Sequence, residues 1–209
     1  MKGSTHLVVG VALGGAFAYI GKYELVETIG IVTTCAIASI IPDMDTNSKI
    51  TRKLTIPVKL VYAFLGIVGL MITGYGYWLL DGTEKILGMV IGCSLIVLPQ
   101  LIIKPKSMLI LTGLGTLVVG ILLSHLWIMG LAIYMIISAF APHRGITHSI
   151  WGFAFFGWIL YELQAFVGME MLMAAGLIGY ASHLICDMKW LPANRKGIKL
   201  FQPFIKLEF

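Results

Sequence analysis

The chain has 209 residues, of which 58% are hydrophobic and only 12% charged, with a mean hydropathy of +0.93 and a formal net charge of +5. A soluble domain carries about 25% charged residues, so this composition excludes a water-exposed globular fold. The charges are clustered, and the apolar runs between them have the length of bilayer-crossing helices, about 17–25 residues. No polar linker divides the chain, which reads as one integral membrane domain over 1–209.

In chain order the apolar runs fall at about 5–20, 25–41, 56–80, 84–103, 107–123, 125–140, 149–168 and 170–190. The expected fold is all-α, a polytopic transmembrane helix bundle of about eight spans, with six or seven as the alternative. No cleavable signal peptide is expected, because the first run contains His6 and lacks a small-residue cleavage site. Gly10-x-x-x-Gly14 and Gly88-x-x-x-Gly92 match the spacing that lets helices approach closely in lipid, although glycine is common enough in such helices to match by chance. Cys35, Cys93 and Cys186 all lie in apolar runs without CxxC spacing, and read as small buried side chains.

Orientation follows from the basic residues. With eight spans and both termini cytoplasmic, the cytoplasmic segments hold every one of the 15 Lys and Arg residues except Lys22 and Lys85. The net positive charge is then a positive-inside bias with attraction to anionic headgroups. No nucleic-acid partner is expected, since no basic patch is interleaved with aromatics.

That topology brings His6, Asp43, Asp45, His143, Arg144, His148, His183 and Asp187 to the same cytoplasmic face. His183 and Asp187 are four apart on a helix, so both can reach one ion. Asp43 and Asp45, in the turn Pro42-Asp43-Met44-Asp45, can converge on one metal or bridge two. Gly145 allows a tight loop that brings His143 and His148 towards a common centre. Each piece alone also fits a bland role: an N-capping aspartate for Asp43 or Asp45, a surface pair for His183 and Asp187, a headgroup-boundary residue for His6. Together, imidazoles and carboxylates suit Zn²⁺, Mn²⁺ or Fe²⁺ better than Mg²⁺ or Ca²⁺. A site of one to three ions is expected, zinc first, with His6, Asp43, Asp45, His148, His183 and Asp187 as the ligand set.

The segments Thr5-His6, Pro42-Asp43-Met44-Asp45, His143-Arg144-Gly145-Ile146-Thr147-His148-Ser149 and Gly179-Tyr180-x-Ser182-His183-x-x-x-Asp187 resemble the YdjM-like family. The tail from Lys196 to Pro203 also looks like that family's segment after its last motif. The family consists of membrane-bound metal-dependent hydrolases, named in part for LexA regulation of one member. The resemblance implies such a hydrolase in the bacterial inner membrane. The ligand order Asp…His…His-x₃-Asp is more distantly similar to zinc-dependent phospholipase C and the single-strand-specific zinc nucleases, which implies phosphate-ester hydrolysis. Between Asp45 and His143 lie 97 residues, a long apolar insert at about 56–140.

The expected function is therefore hydrolysis of a phosphoester or related bond in a lipid or membrane-proximal substrate at the cytoplasmic face. Arg144 would clamp a phosphate, and Asp45 would act as base. His143 would be a ligand, a hydrogen-bond partner of a ligand, or the acid that protonates the leaving oxygen. The alternative is an ion or solute transporter, or a metal-handling membrane protein, because intramembrane acids and histidines also mark ion pathways.

Overall fold

The computed structural model describes residues 3–45, 55–103, 105–190, 194, 197–205 and 207–209. Among them are eight α-helices: α1 (Gly3–Gly21), α2 (Leu25–Ala38), α3 (Val58–Leu79), α4 (Gly82–Ile102), α5 (Pro105–Leu123), α6 (Leu126–Phe140), α7 (Ile150–Val167) and α8 (Leu172–Asp187). Two 3₁₀ turns, Ile41–Asp45 and Ile146–His148, stand between α2 and α3 and between α6 and α7. No strand occurs among the described residues. The expected all-helical membrane protein is what forms, and the helices fall where the apolar runs lie.

Five segments are long and apolar enough to cross a bilayer: α1, Leu25–Asp45, α3, α4 and α7. The apolar parts of α5, α6 and α8 are shorter. Of the basic residues used for orientation, Lys2, Lys49, Arg52, Lys53, Lys104, Arg195, Lys196 and Lys206 lie outside the described residues.

Helix α8 packs on α1, α2 and α7, and α6 joins this group through α7, with α5 against α6. Lipid is as apolar as leucine, so van der Waals packing rather than water exclusion holds such helices together, and small residues at the seams let it act. Gly10 and Gly14 of α1 face Ser39 and Cys35 so closely that an added Cβ would lie 2.4 Å from Ser39 Oγ and 3.0 Å from Cys35 Cβ. The second GxxxG is used as well. A Cβ on Gly92 would lie 2.6 Å from the Gly69 carbonyl, which fixes the α3–α4 hairpin. That hairpin packs chiefly on itself, and its large apolar side chains, such as Leu60, Phe64, Leu70 and Ile86, point outward. The main core joins Ala38, Met44, Tyr134, Phe156, Tyr180 and Leu184, with Ile198 of the C-terminal segment fully buried among them.

Candidate metal centre

Pro42 cannot donate a backbone hydrogen bond, so α2 stops before it and the chain tightens into the Ile41–Asp45 turn. At 3.0 residues per turn, positions two apart point about 120° away from one another. Asp43 and Asp45 accordingly diverge onto the two nitrogens of His148. Asp43 Oδ1 lies 3.7 Å from His148 Nε2, and Asp45 Oδ2 lies 3.4 Å from His148 Nδ1.

The second loop is as tight as Gly145 suggested, since a Cβ there would lie 2.6 Å from the Pro142 carbonyl. The left-handed backbone falls instead on Arg144, at φ 62°, a conformation that costs an L-residue roughly 1–2 kcal/mol. The Arg144 amide donates to Asp45 Oδ2 at 3.2 Å, which offsets that cost. The guanidinium then reaches Asp187 Oδ2 at 3.4 Å and donates to the Gly197 carbonyl at 3.3 Å. His143 and His148 meet edge to face, with ring centres 5.4 Å apart.

The hydrogen-bond partners assign the ring protons. Ser39 contributes a carbonyl, which only accepts, so His183 Nδ1 carries a proton and donates to it at 2.7 Å. The Thr147 hydroxyl donates to the Asp45 carboxylate at 2.8 Å. It must therefore accept from His148 Nδ1 at 3.1 Å. In their neutral forms both rings turn an Nε2 lone pair inward, and the two nitrogens are 3.1 Å apart. Two acceptors at that distance repel one another unless a proton or a metal cation lies between them. Burial disfavours the charged form of His148, but the carboxylates of Asp43 and Asp45 outweigh it and hold its pKa above the ordinary value.

Asp43 lies 3.7 Å and Asp187 3.9 Å from His183 Nε2, and Asp187 lies 3.8 Å from His148 Nε2. Two ligands on one tetrahedral zinc, at bonds of about 2.0–2.1 Å, are roughly 3.3 Å apart. Asp43, His148, His183 and Asp187 thus form a set in which one donor atom from each lies within 4.8 Å of the others. His6 stacks on His183 with ring centres 3.9 Å apart, and its Nε2 is 3.4 Å from Asp187 Oδ1. Among the described residues neither buried His6 nitrogen has a hydrogen-bond partner, and a cation would satisfy the one that carries the lone pair. The donor set therefore fits a divalent cation. Asp45, His143 and His148 form a second group of the same compactness.

All eight residues singled out in the sequence thus come together, from four separated segments. Thr147, the Ser39 carbonyl and Tyr180 join the centre as well, and of these Thr147 and Tyr180 stand inside the motifs quoted above. Tyr134 carried no sequence signal at all.

An all-helical bundle with apolar crossing helices and a buried His/Asp cluster able to hold a metal ion defines the class: a membrane protein with a possible metal-binding site. The chain matches the YdjM inner membrane protein family over residues 1–209 and belongs to it. No curated protein and no solved structure matches it.

Proposed function

We propose that this chain is a metal-dependent hydrolase of the inner membrane that cleaves a phosphoester or related bond in a lipid or membrane-proximal substrate. The observation that carries this reading is the buried pair of Nε2 atoms of His148 and His183, 3.1 Å apart and flanked by Asp43 and Asp187. Zinc suits this mixture of imidazole and carboxylate best, with manganese and iron as the other candidates. A bound divalent ion supplies Lewis acidity, polarising a phosphoryl oxygen and acidifying a water molecule.

The chain's own residues supply the rest. Arg144 holds a phosphate oxygen through its planar fork while keeping Asp187 in place. His143 has a half-exposed side chain and donates from Nδ1 to Asp45 Oδ1 at 3.0 Å. Its Nε2 is left to exchange a proton with water or with the departing alcohol. Asp45 already accepts from Arg144, Thr147 and His143. It acts as the orienting carboxylate of both histidines, and as a ligand only if a second ion enters beside His143.

The helix ends support the topology. The starts of α1 and α7 meet the ends of α2, α6 and α8 at the centre, as an even number of crossings between them requires. We read all eight helices as crossings, with both termini and the site cytoplasmic.

The test is turnover of phosphoester lipids in detergent micelles by protein loaded with zinc, manganese or iron. The His143→Ala variant should keep its metal and lose about 10²–10⁴-fold in kcat. Stoichiometric metal without turnover of any phosphoester would remove the hydrolase reading. Substrate-dependent flux in proteoliposomes would then favour transport.

A further inference from the structure

Helix α6 belongs to the apolar insert, yet it reaches the metal centre through a buried chain of hydroxyls. Tyr180 of α8 is fully buried, and its hydroxyl bonds to the Thr147 carbonyl. Tyr134 of α6 is also buried, and its hydroxyl oxygen lies 3.0 Å from that of Tyr180. A carbonyl can only accept, so the single proton of Tyr180 is committed to Thr147. Tyr134 must therefore be the donor to Tyr180. The direction of the chain is fixed: Tyr134 to Tyr180 to the Thr147 carbonyl. From the same residue, the Thr147 side chain donates to Asp45 and accepts from His148.

Resting on the metal reading above, we propose that Tyr180 and Tyr134 are positioning residues of the centre. They lock the Thr147 peptide so that the next residue, His148, presents Nε2 to the ion. Packing makes the arrangement stiff. Gly152 leaves so little room that a Cβ would lie 2.8 Å from the Tyr180 hydroxyl and 2.5 Å from the Ile146 carbonyl. Phe153 and Phe156 of α7 pack against the Tyr180 ring. The ring of Tyr180 is thus held by α7 and its hydroxyl by α6, and both constraints converge on one peptide. On this account one role of the insert is to supply the terminal donor of the hydroxyl chain behind His148.

The experiment titrates Co²⁺ into metal-free protein in detergent and follows its visible ligand-field bands, which report coordination geometry where Zn²⁺ is silent. Wild type is compared with Tyr180→Phe, Tyr134→Phe and the double variant, and the Tm of each metal-free protein is recorded. Loss of an outer hydrogen bond to a metal ligand typically costs 10–100-fold in affinity. Tyr180 bonds to the peptide before His148, one step further out, so Tyr180→Phe should fall at the low end, about tenfold, and shift the cobalt bands. Tyr134→Phe should lose less, about threefold, and the double variant should match Tyr180→Phe, because Tyr134 acts only through it. Wild-type cobalt affinity and bands in Tyr180→Phe, whatever its Tm, would overturn the positioning role and leave the metal centre standing. The same holds for a double variant whose losses multiply. If Tyr180→Phe does not fold, Tyr134→Phe decides alone: unchanged bands and affinity overturn the proposal. A wild-type protein that binds no cobalt overturns the metal reading itself and this proposal with it.

Discussion

The His183→Ala, Asp187→Ala double variant is expected to purify without metal, while the wild-type protein carries zinc, manganese or iron in stoichiometric amount. These residues supply two of the four donors that lie within 4.8 Å of one another. They are also the two that a single helical turn places together. Their removal leaves His148 and Asp43 as an incomplete pair, and strips His6 of the carboxylate 3.4 Å away. Structural zinc sites are almost always four-coordinate, and catalytic ones keep three protein ligands. The two donors left of that set, with His6 deprived of the His183 ring it stacks on, would not retain the ion through purification. Elemental analysis of both proteins in detergent checks this, with the Tm recorded in parallel. The double variant also breaks the Arg144–Asp187 ion pair and the His183–Ser39 hydrogen bond, so the Tm separates loss of the ion from loss of the fold. Metal in both proteins at equal stoichiometry would mean that the ion binds elsewhere. Metal in neither, even after reconstitution, would take away the chemical basis of the hydrolase reading.

Gly179→Ala is expected to damage both the fold and the centre. An added Cβ at Gly179 would sit 2.1 Å from the Cys35 carbonyl oxygen and 2.9 Å from its carbon. These are backbone atoms of α2, so no side chain can swing away, and the two helices must move apart. Overpacking of this kind costs roughly 1–3 kcal/mol. The consequence for the site follows from helical geometry. One turn on from Gly179 is His183, and one turn on from Cys35 is Ser39, whose carbonyl accepts the His183 Nδ1 proton at 2.7 Å. Separating α2 from α8 stretches that bond and releases the tautomer that presents Nε2 to the ion. A lowered Tm together with at least tenfold weaker metal binding is the expected outcome. Gly66→Ala is the comparison, because a Cβ there meets nothing within 4 Å. If Gly179→Ala matches Gly66→Ala in both measurements, the close α2–α8 seam does not exist in the protein.

The places of the eight helices were legible because the length of an apolar run is a local property set by the bilayer. So were the residue types of the centre: buried imidazoles and carboxylates are too costly in lipid to stand there unpaired. The His183/Asp187 pair was legible for a similar reason, since helical periodicity alone brings residues four apart onto one face. Beyond that reach the sequence was silent. It left open whether Asp43 and Asp45 share one ion. Only the 3₁₀ turn Ile41–Asp45 aims them at opposite nitrogens of His148. It likewise marked Gly145 as the residue that tightens the loop, whereas the left-handed backbone falls on Arg144 and is held there by Asp45.

The apolar insert read as one block, yet the tertiary structure divides it. The α3–α4 hairpin packs on itself, while α6 delivers Tyr134 to the chain of hydroxyls behind His148. Both halves are predominantly apolar, so no change of residue class separates them. The difference lies in which helix backbones can approach, and that depends on small residues meeting across seams between segments far apart in the chain. A helical membrane protein and the chemical types at its centre follow from residue types and their spacing alone. Which nitrogen faces the ion, which carboxylate orients which ring, and which distant tyrosine holds the loop were decided by helix packing, because a hydrogen bond's direction is set by the partner brought to it.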